Sequence, residues 1–329
     1  MHGFFFVSYT GFEPVTSALS RQRSEPTELI ALECKDSMNP CNLYFGVLRF
    51  FMRHVLALLR VILLVSLLLK TSIIVVVFRF FGRQMAHNAM RVGMNLIAHV
   101  LGVRSTSEGS VRKERQLVLM NHPSYLDILF LHKLSHPTTL LAADNFKFWP
   151  FIGWLGTAVD VIWVKRHHKA SGKKVRKAVE HRLNKGLSII AFPEGRTSGT
   201  HDIYPIKPGL FFLAQEQQIP ITFACVRYEN QHIPYFHSLK SGFGKHFLRH
   251  FWGLMGQFRI PSKLCFSEPH LYDSPEEGMQ AFYAFHAKHL QDICHFPIPV
   301  QEEFIGEALS RIDPEVVSFR PETQEELLA

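Results

Sequence analysis

A histidine five residues ahead of an aspartate, with a proline directly after it, can build a general base. His122 and Asp127 stand in the run Asn121-His122-Pro123-Ser124-Tyr125-Leu126-Asp127, between apolar stretches at 116–120 and 128–131. Proline suits the first position of a helix and pushes its predecessor out of the helical region. The sequence therefore predicts His122 at a strand-to-helix turn and Asp127 about one turn into a helix over 123–134. Within one continuous helix a spacing of five would point the two side chains about 140° apart, but a histidine outside the helix can fold back onto the carboxylate. A carboxylate that accepts one imidazole N–H fixes the tautomer and leaves the other nitrogen to take a proton. That chemistry suits deprotonation of a hydroxyl. The plainer alternative, a helix-start histidine beside a solvated aspartate, has the same sequence.

A second group of residues follows the apolar run 187–192, as Phe192-Pro193-Glu194-Gly195-Arg196-Thr197-Ser198-Gly199. Its glycines and hydroxyls let backbone N–H groups approach an anion, and Arg196 can grip a phosphate with paired donors. Glu194 either orders Arg196 or binds a substrate hydroxyl. Alone, the segment also fits an ordinary polar loop.

Taken together, these residues resemble the glycerolipid acyltransferase family, typified by 1-acyl-sn-glycerol-3-phosphate acyltransferases. The resemblance runs from about residue 55 to 272 and rests on four blocks in the family's order. His122 with Asp127 forms the first. Ile162-Trp163-Val164-Lys165-Arg166 is similar to the second, with Lys165 where an acid usually precedes the arginine. Phe192-Pro193-Glu194-Gly195 forms the third, followed by Arg196-Thr197 in the reverse of the commoner order. Ile219-Pro220-Ile221-Thr222-Phe223-Ala224 is similar to the fourth and follows a Lys207-Pro208-Gly209 turn. The resemblance implies that His122, held by Asp127, deprotonates a glycerol hydroxyl that attacks the thioester of acyl-CoA or acyl-carrier protein, with no other cofactor and no metal. It further implies that Arg166, Glu194, Gly195 and Arg196, with Lys207 as a lesser contributor, hold the acceptor's phosphate. Lysophosphatidate is the expected acceptor. Another lysolipid, an ornithine lipid or glycerol-3-phosphate is the alternative, and a non-catalytic lipid-binding relative is the rival from a different class.

The elements that must position these residues are legible as a rhythm of short apolar runs and helical patterns, the signature of an α/β domain. Strands are expected at 116–120, 139–142, 159–164, 187–192, 221–228 and 263–266. Helices are expected at 123–134, 170–184, 209–217 and 275–291. The predicted fold is a mixed central sheet flanked by helices over 102–300, behind a membrane-associated helical pair at 45–101. In that pair, 54–78 holds eighteen Leu, Ile, Val or Phe and two charges, Arg60 and Lys70, and 84–101 is amphipathic. The first helix is long enough to span a bilayer, yet two central cations offset most of the apolar gain. Spanning, lying in the headgroup plane and burial as a core helix all fit the sequence. Residues 1–37 read as a poorly structured leader of the kind that precedes a true start at Met38 or Met52, and 301–329 as an acidic solvated tail.

Composition bounds the rest. The chain has 329 residues, 47% apolar and 19% charged, which excludes collagen, a disulfide scaffold and disorder throughout. Its formal charge of +8 is concentrated in 160–185, where nine basic side chains face Asp160 and Glu180. On the helix expected there, Val175, Ala178, Val179 and Leu183 share an apolar face opposite Lys173, Lys174, Arg176 and Lys177. The basic face suits anionic lipid, the donor's phosphates or an acidic carrier protein, or simply solvent. Nucleic acid fits poorly, because no aromatics interleave the basic run. Five cysteines without a CxxC pattern read as reduced thiols and place the catalytic domain on the cytoplasmic side. His132 and His136 have zinc-pair spacing, but Lys133 stands where a zinc protease needs glutamate.

Overall fold

The computed structural model describes residues 40–134, 136–165, 171–235, 244–295 and 298. The expected leader and acidic tail, and Arg166, lie outside them. The described residues divide into two units between Val55 and Leu56.

A seven-stranded sheet organises the described residues of the larger unit. β1 (Val103–Glu108), β2 (Leu117–Met120), β3 (Thr138–Ala143), β4 (Ile162–Val164), β5 (Ser188–Ala191), β6 (Ile221–Tyr228) and β7 (Ile260–Phe266) take the order β1-β7-β6-β2-β5-β3-β4. All neighbours pair parallel except β6 with β7. The central strand β2, LVLM, is apolar at every position because both of its faces are covered. Val118, Met120, Ile190, Ala224 and Val226 enter one core, and Leu117, Leu119, Ile189, Phe223 and Cys225 enter the other. This is the mixed, helix-flanked sheet expected from the sequence.

Helix α1 (Pro40–Phe81) is followed by α2 (Arg83–Val100). The most apolar window of α1 has mean hydropathy 2.8 and is only 17% buried, which sets aside the core-helix reading. One stripe faces the α/β domain, through Ala57, Arg60, Thr71, Ser72 and Val75, while Leu58, Ile62, Leu63, Ile73 and Val77 are exposed. The helices α1 and α2 pass so closely that a Cβ on Gly93 would fall 2.2 Å from the Thr71 side chain. Arg60 corrects the charge ledger drawn from sequence. Its guanidinium donates to the carbonyls of Met255, Gln257 and Phe258, so it faces protein and leaves Lys70 as the cation on that surface.

Two local expectations are revised, and two further elements were not foreseen. The segment after His122 is a 3₁₀ helix, Tyr125–Lys133, capped by Ser124 rather than begun by Pro123. The expected strand 159–164 shortens to β4, because 152–158 forms α3 (Ile152–Ala158) with Val159 at its end. Strand β1 is too polar to read as a strand, being VRSTSE, and exists through its pairing with β7. Basic residues interrupt α6 (Lys245–Met255) and hid it. The other helices agree closely with expectation: α4 (Ser171–Asn184), α5 (Gly209–Glu216) and α7 (Pro275–Leu290).

Candidate active site

Strands β2, β5 and β6 are mutually parallel, so the segments leaving their carboxyl ends share one edge of the sheet, where open α/β folds commonly bind ligands. Met120 ends β2, Ala191 ends β5 and Tyr228 ends β6. Asn121 fixes the exit from β2: its side chain donates to the Val226 carbonyl at 3.0 Å and accepts from the Val226 N–H at 2.8 Å.

The fold-back from His122 to Asp127 is present. His122 Nδ1 lies 2.8 Å from Asp127 Oδ2. The same oxygen accepts the Ser124 N–H at 3.0 Å, closing a capping box, and the other accepts the Tyr228 hydroxyl at 2.7 Å. Asp127 is fully buried while the His122 side chain keeps 19% exposure, so the imidazole, not the acid, is open to a reactant. Burial pushes the Asp127 carboxyl upward, and the bonds from His122, Tyr228 and Ser124 oppose that shift. All three partners suit the ionised form. Burial and the neighbouring carboxylate raise the Tyr228 hydroxyl well above its usual value, which keeps it a donor. With Nδ1–H committed to the aspartate, Nε2 carries the lone pair. Phe192 stacks on the imidazole, with centroids 3.9 Å apart and planes at 18°.

The 193–199 loop hangs from the same histidine. The His122 N–H donates to Glu194 Oε1 at 2.9 Å, and the Ser198 N–H donates to the His122 carbonyl at 2.8 Å. Glu194 Oε2 accepts the Tyr204 N–H at 3.0 Å. The carboxyl is buried and its pKa is pushed up to about 8, chiefly by desolvation. Glu194 thus faces inward and braces the loop. Gly195 turns the chain at φ +71°, and a Cβ there would meet Lys207 Nζ at 2.8 Å, so glycine serves both the conformation and the approach of the lysine. Arg196 is exposed and lies over the Tyr204 ring at 4.3 Å. Gly195, Arg196 and Lys207 therefore cluster on one loop system beside His122. Lys165 is exposed just past β4.

Two contributors went unread in the sequence, Tyr228 and the Phe192 stack. Tyr228 closes β6 and Phe192 directly follows β5, two strands that the apolar pattern does reveal. Placing β6 beside β2 would have exposed Tyr228 as a neighbour of Asp127, but strand order is not written in one sequence. His132 and His136 do not converge on a metal: the former bonds the Leu129 carbonyl and the latter the Gly186 carbonyl.

Residues 102–227 match the family model described as Acyltransferase. The chain is 30% identical over 115 residues to a 1-acyl-sn-glycerol-3-phosphate acyltransferase of Neisseria gonorrhoeae, covering 35% of this chain and 45% of that one. It is 33% identical over 132 residues to the enzyme of the same name from Saccharomyces cerevisiae, covering 37% and 41%. A lyso-ornithine lipid O-acyltransferase of Rhodobacter capsulatus is 30% identical over 112 residues, covering 34% and 40%. The chain spans less than half the length of these relatives.

Proposed function

From the match of residues 102–227 to the acyltransferase family model, we propose that the protein transfers a fatty acyl group from a thioester donor to the free hydroxyl of lysophosphatidate, giving phosphatidate. The observation that carries the reading is the double tether of His122. Its side chain is aligned by Asp127, and its backbone holds both ends of the Glu194–Ser198 turn. Base and anion cradle are therefore fixed to each other through one residue.

In the proposed reaction His122 Nε2 takes the hydroxyl proton as the oxygen attacks the thioester carbonyl, and the imidazolium then returns that proton to the departing thiolate. No acyl-enzyme is needed. Asp127 holds the tautomer and stabilises the imidazolium. Thiolate leaves readily, so the main tasks are positioning the two substrates and stabilising the developing oxyanion, which backbone N–H groups near His122 would do. Arg196 and Lys207, with the Gly195 backbone, hold the acceptor phosphate, and Arg166 joins them in this proposal from the second block. Glu194 enters as the brace of this cradle, since its two oxygens are taken by the His122 and Tyr204 N–H groups. The exposed apolar face of α1 keeps the protein at the membrane where acceptor and product reside, and the reduced thiols Cys225, Cys265 and Cys294 support a cytoplasmic active site. Acyl-CoA and acyl-carrier protein both fit as donor.

The relative named for lyso-ornithine lipid favours one second reading, a different lysolipid acceptor. Incubating the full chain in detergent with acyl-CoA and each of lysophosphatidate, lyso-ornithine lipid and glycerol-3-phosphate, with products identified by mass spectrometry, separates the two. Phosphatidate as the dominant product supports the proposal. Product from lyso-ornithine lipid alone replaces it with the second reading, and no transfer to any acceptor refutes both.

A further inference from the structure

At the far edge of the sheet from β4, three metal-ligating side chains converge. Glu108 ends β1 and pairs in register with Cys265 on β7, and His289 reaches the same point from α7. Their ligand atoms all lie within 4.8 Å of one another, with Cys265 Sγ 3.8 Å from Glu108 Oε2. We propose that Glu108, Cys265 and His289 bind a zinc ion that ties β1 and β7 to α7.

The spacing is nearly that of a loaded site. Tetrahedral zinc, with Zn–S of about 2.3 Å and Zn–O of about 2.1 Å, sets sulfur and oxygen about 3.6 Å apart. One thiolate, one imidazole and one carboxylate select zinc over magnesium or calcium, which take oxygen ligands. Glu108 is exposed and His289 half-buried, leaving a fourth position for water. Binding releases the Cys265 thiol proton to solvent.

A cation already marks the place. Lys263 Nζ lies 2.7 Å from Glu108 Oε2, in an ion pair whose members are both about half exposed. Such pairs are weak, so a divalent ion displaces the ammonium at small cost. Lys263 is then a competitor for the site, which gives the proposal a signature that a purely structural cluster lacks.

The test uses the full untagged chain in detergent, titrated with cobalt and then with zinc. One equivalent of cobalt should produce a thiolate charge-transfer band that zinc abolishes. The band should vanish in Cys265→Ser and persist in Cys294→Ser. Affinity should fall at least about tenfold in His289→Gln and Glu108→Gln, and rise in Lys263→Ala. His289→Gln, at a half-buried surface position, keeps the test readable if the buried Cys265→Ser variant is unstable. Absence of a stoichiometric band, its survival in Cys265→Ser, or affinity unchanged by His289→Gln would overturn the site and leave Lys263–Glu108 as a simple ion pair.

Discussion

The division of labour among His122, Asp127 and Tyr228 follows from exposure. Asp127 is sealed and carries three donors, so it orients, whereas the partly exposed imidazole reacts. His122→Ala should lower acyl transfer by at least about two orders of magnitude while vesicle binding stays within twofold of the parent; equal turnover in the two proteins would remove His122 from catalysis. Tyr228→Phe tests the buried hydroxyl. Its bond lowers the Asp127 pKa, so losing it raises that pKa and narrows the range in which the acid is ionised. The acid limb of the kcat profile should move to higher pH, with kcat down about tenfold or more and KM for the acceptor little changed. An unshifted limb would make Tyr228 a packing residue only. The dyad's two members were legible in the sequence because they are close in the chain, and the tyrosine was not because it is 101 residues from the acid.

At the scale of elements, two contacts join segments that the sequence keeps apart. The Gly195 turn must adopt φ +71° against Lys207. Gly195→Ala places a side chain in a left-handed conformation costing about 1–2 kcal/mol and pushes the lysine aside, so KM for the phosphate-bearing acceptor should rise several-fold with a smaller change in kcat. A KM equal to the parent's would detach this loop from acceptor binding. Arg60 caps the far end of α6 through carbonyls about 200 positions away. Removing a charged donor from buried carbonyls costs about 2 kcal/mol, so Arg60→Leu should lower the unfolding midpoint in detergent even though it makes α1 more apolar. A raised midpoint would show that Arg60 burdens the helix, as its isolated sequence suggests. The basic helix α4 shows the same dependence on context: Val179 and Leu183 are buried as its pattern requires, Arg176 pairs with Glu180 and with Glu216 on α5, and Lys173, Lys174 and Lys177 are exposed.

For the whole molecule, pH couples the site to global stability through His201. Its Nε2 accepts the Tyr228 N–H at 3.0 Å, which requires the neutral ring, and burial lowers its pKa from 6.5 to about 4. The unfolded chain binds a proton in that window and the folded chain does not. The stability that this neutral ring contributes is therefore full above about pH 6.5 and is lost as pH falls toward 4. Denaturant midpoints measured at pH 7 and pH 5 should fall on acidification, and fall less in His201→Gln; the same drop in both proteins would assign acid sensitivity elsewhere.

The sequence by itself determined the α/β class, the apolar strands and the amphipathic helices, because binary pattern reports burial locally and both faces of the central strands are covered. It also determined the His122–Asp127 pair and the Glu194–Ser198 turn, whose residue types and short spacing carry their chemistry. Only the tertiary structure decided that Glu194 looks inward, that Arg60 faces protein, that β1 exists as a strand, and that Tyr228 closes on Asp127. Each of these is a partnership between residues distant in the chain. A polar side chain's role depends on which donor or acceptor meets it, and that is set by strand order and helix packing rather than by its neighbours in sequence.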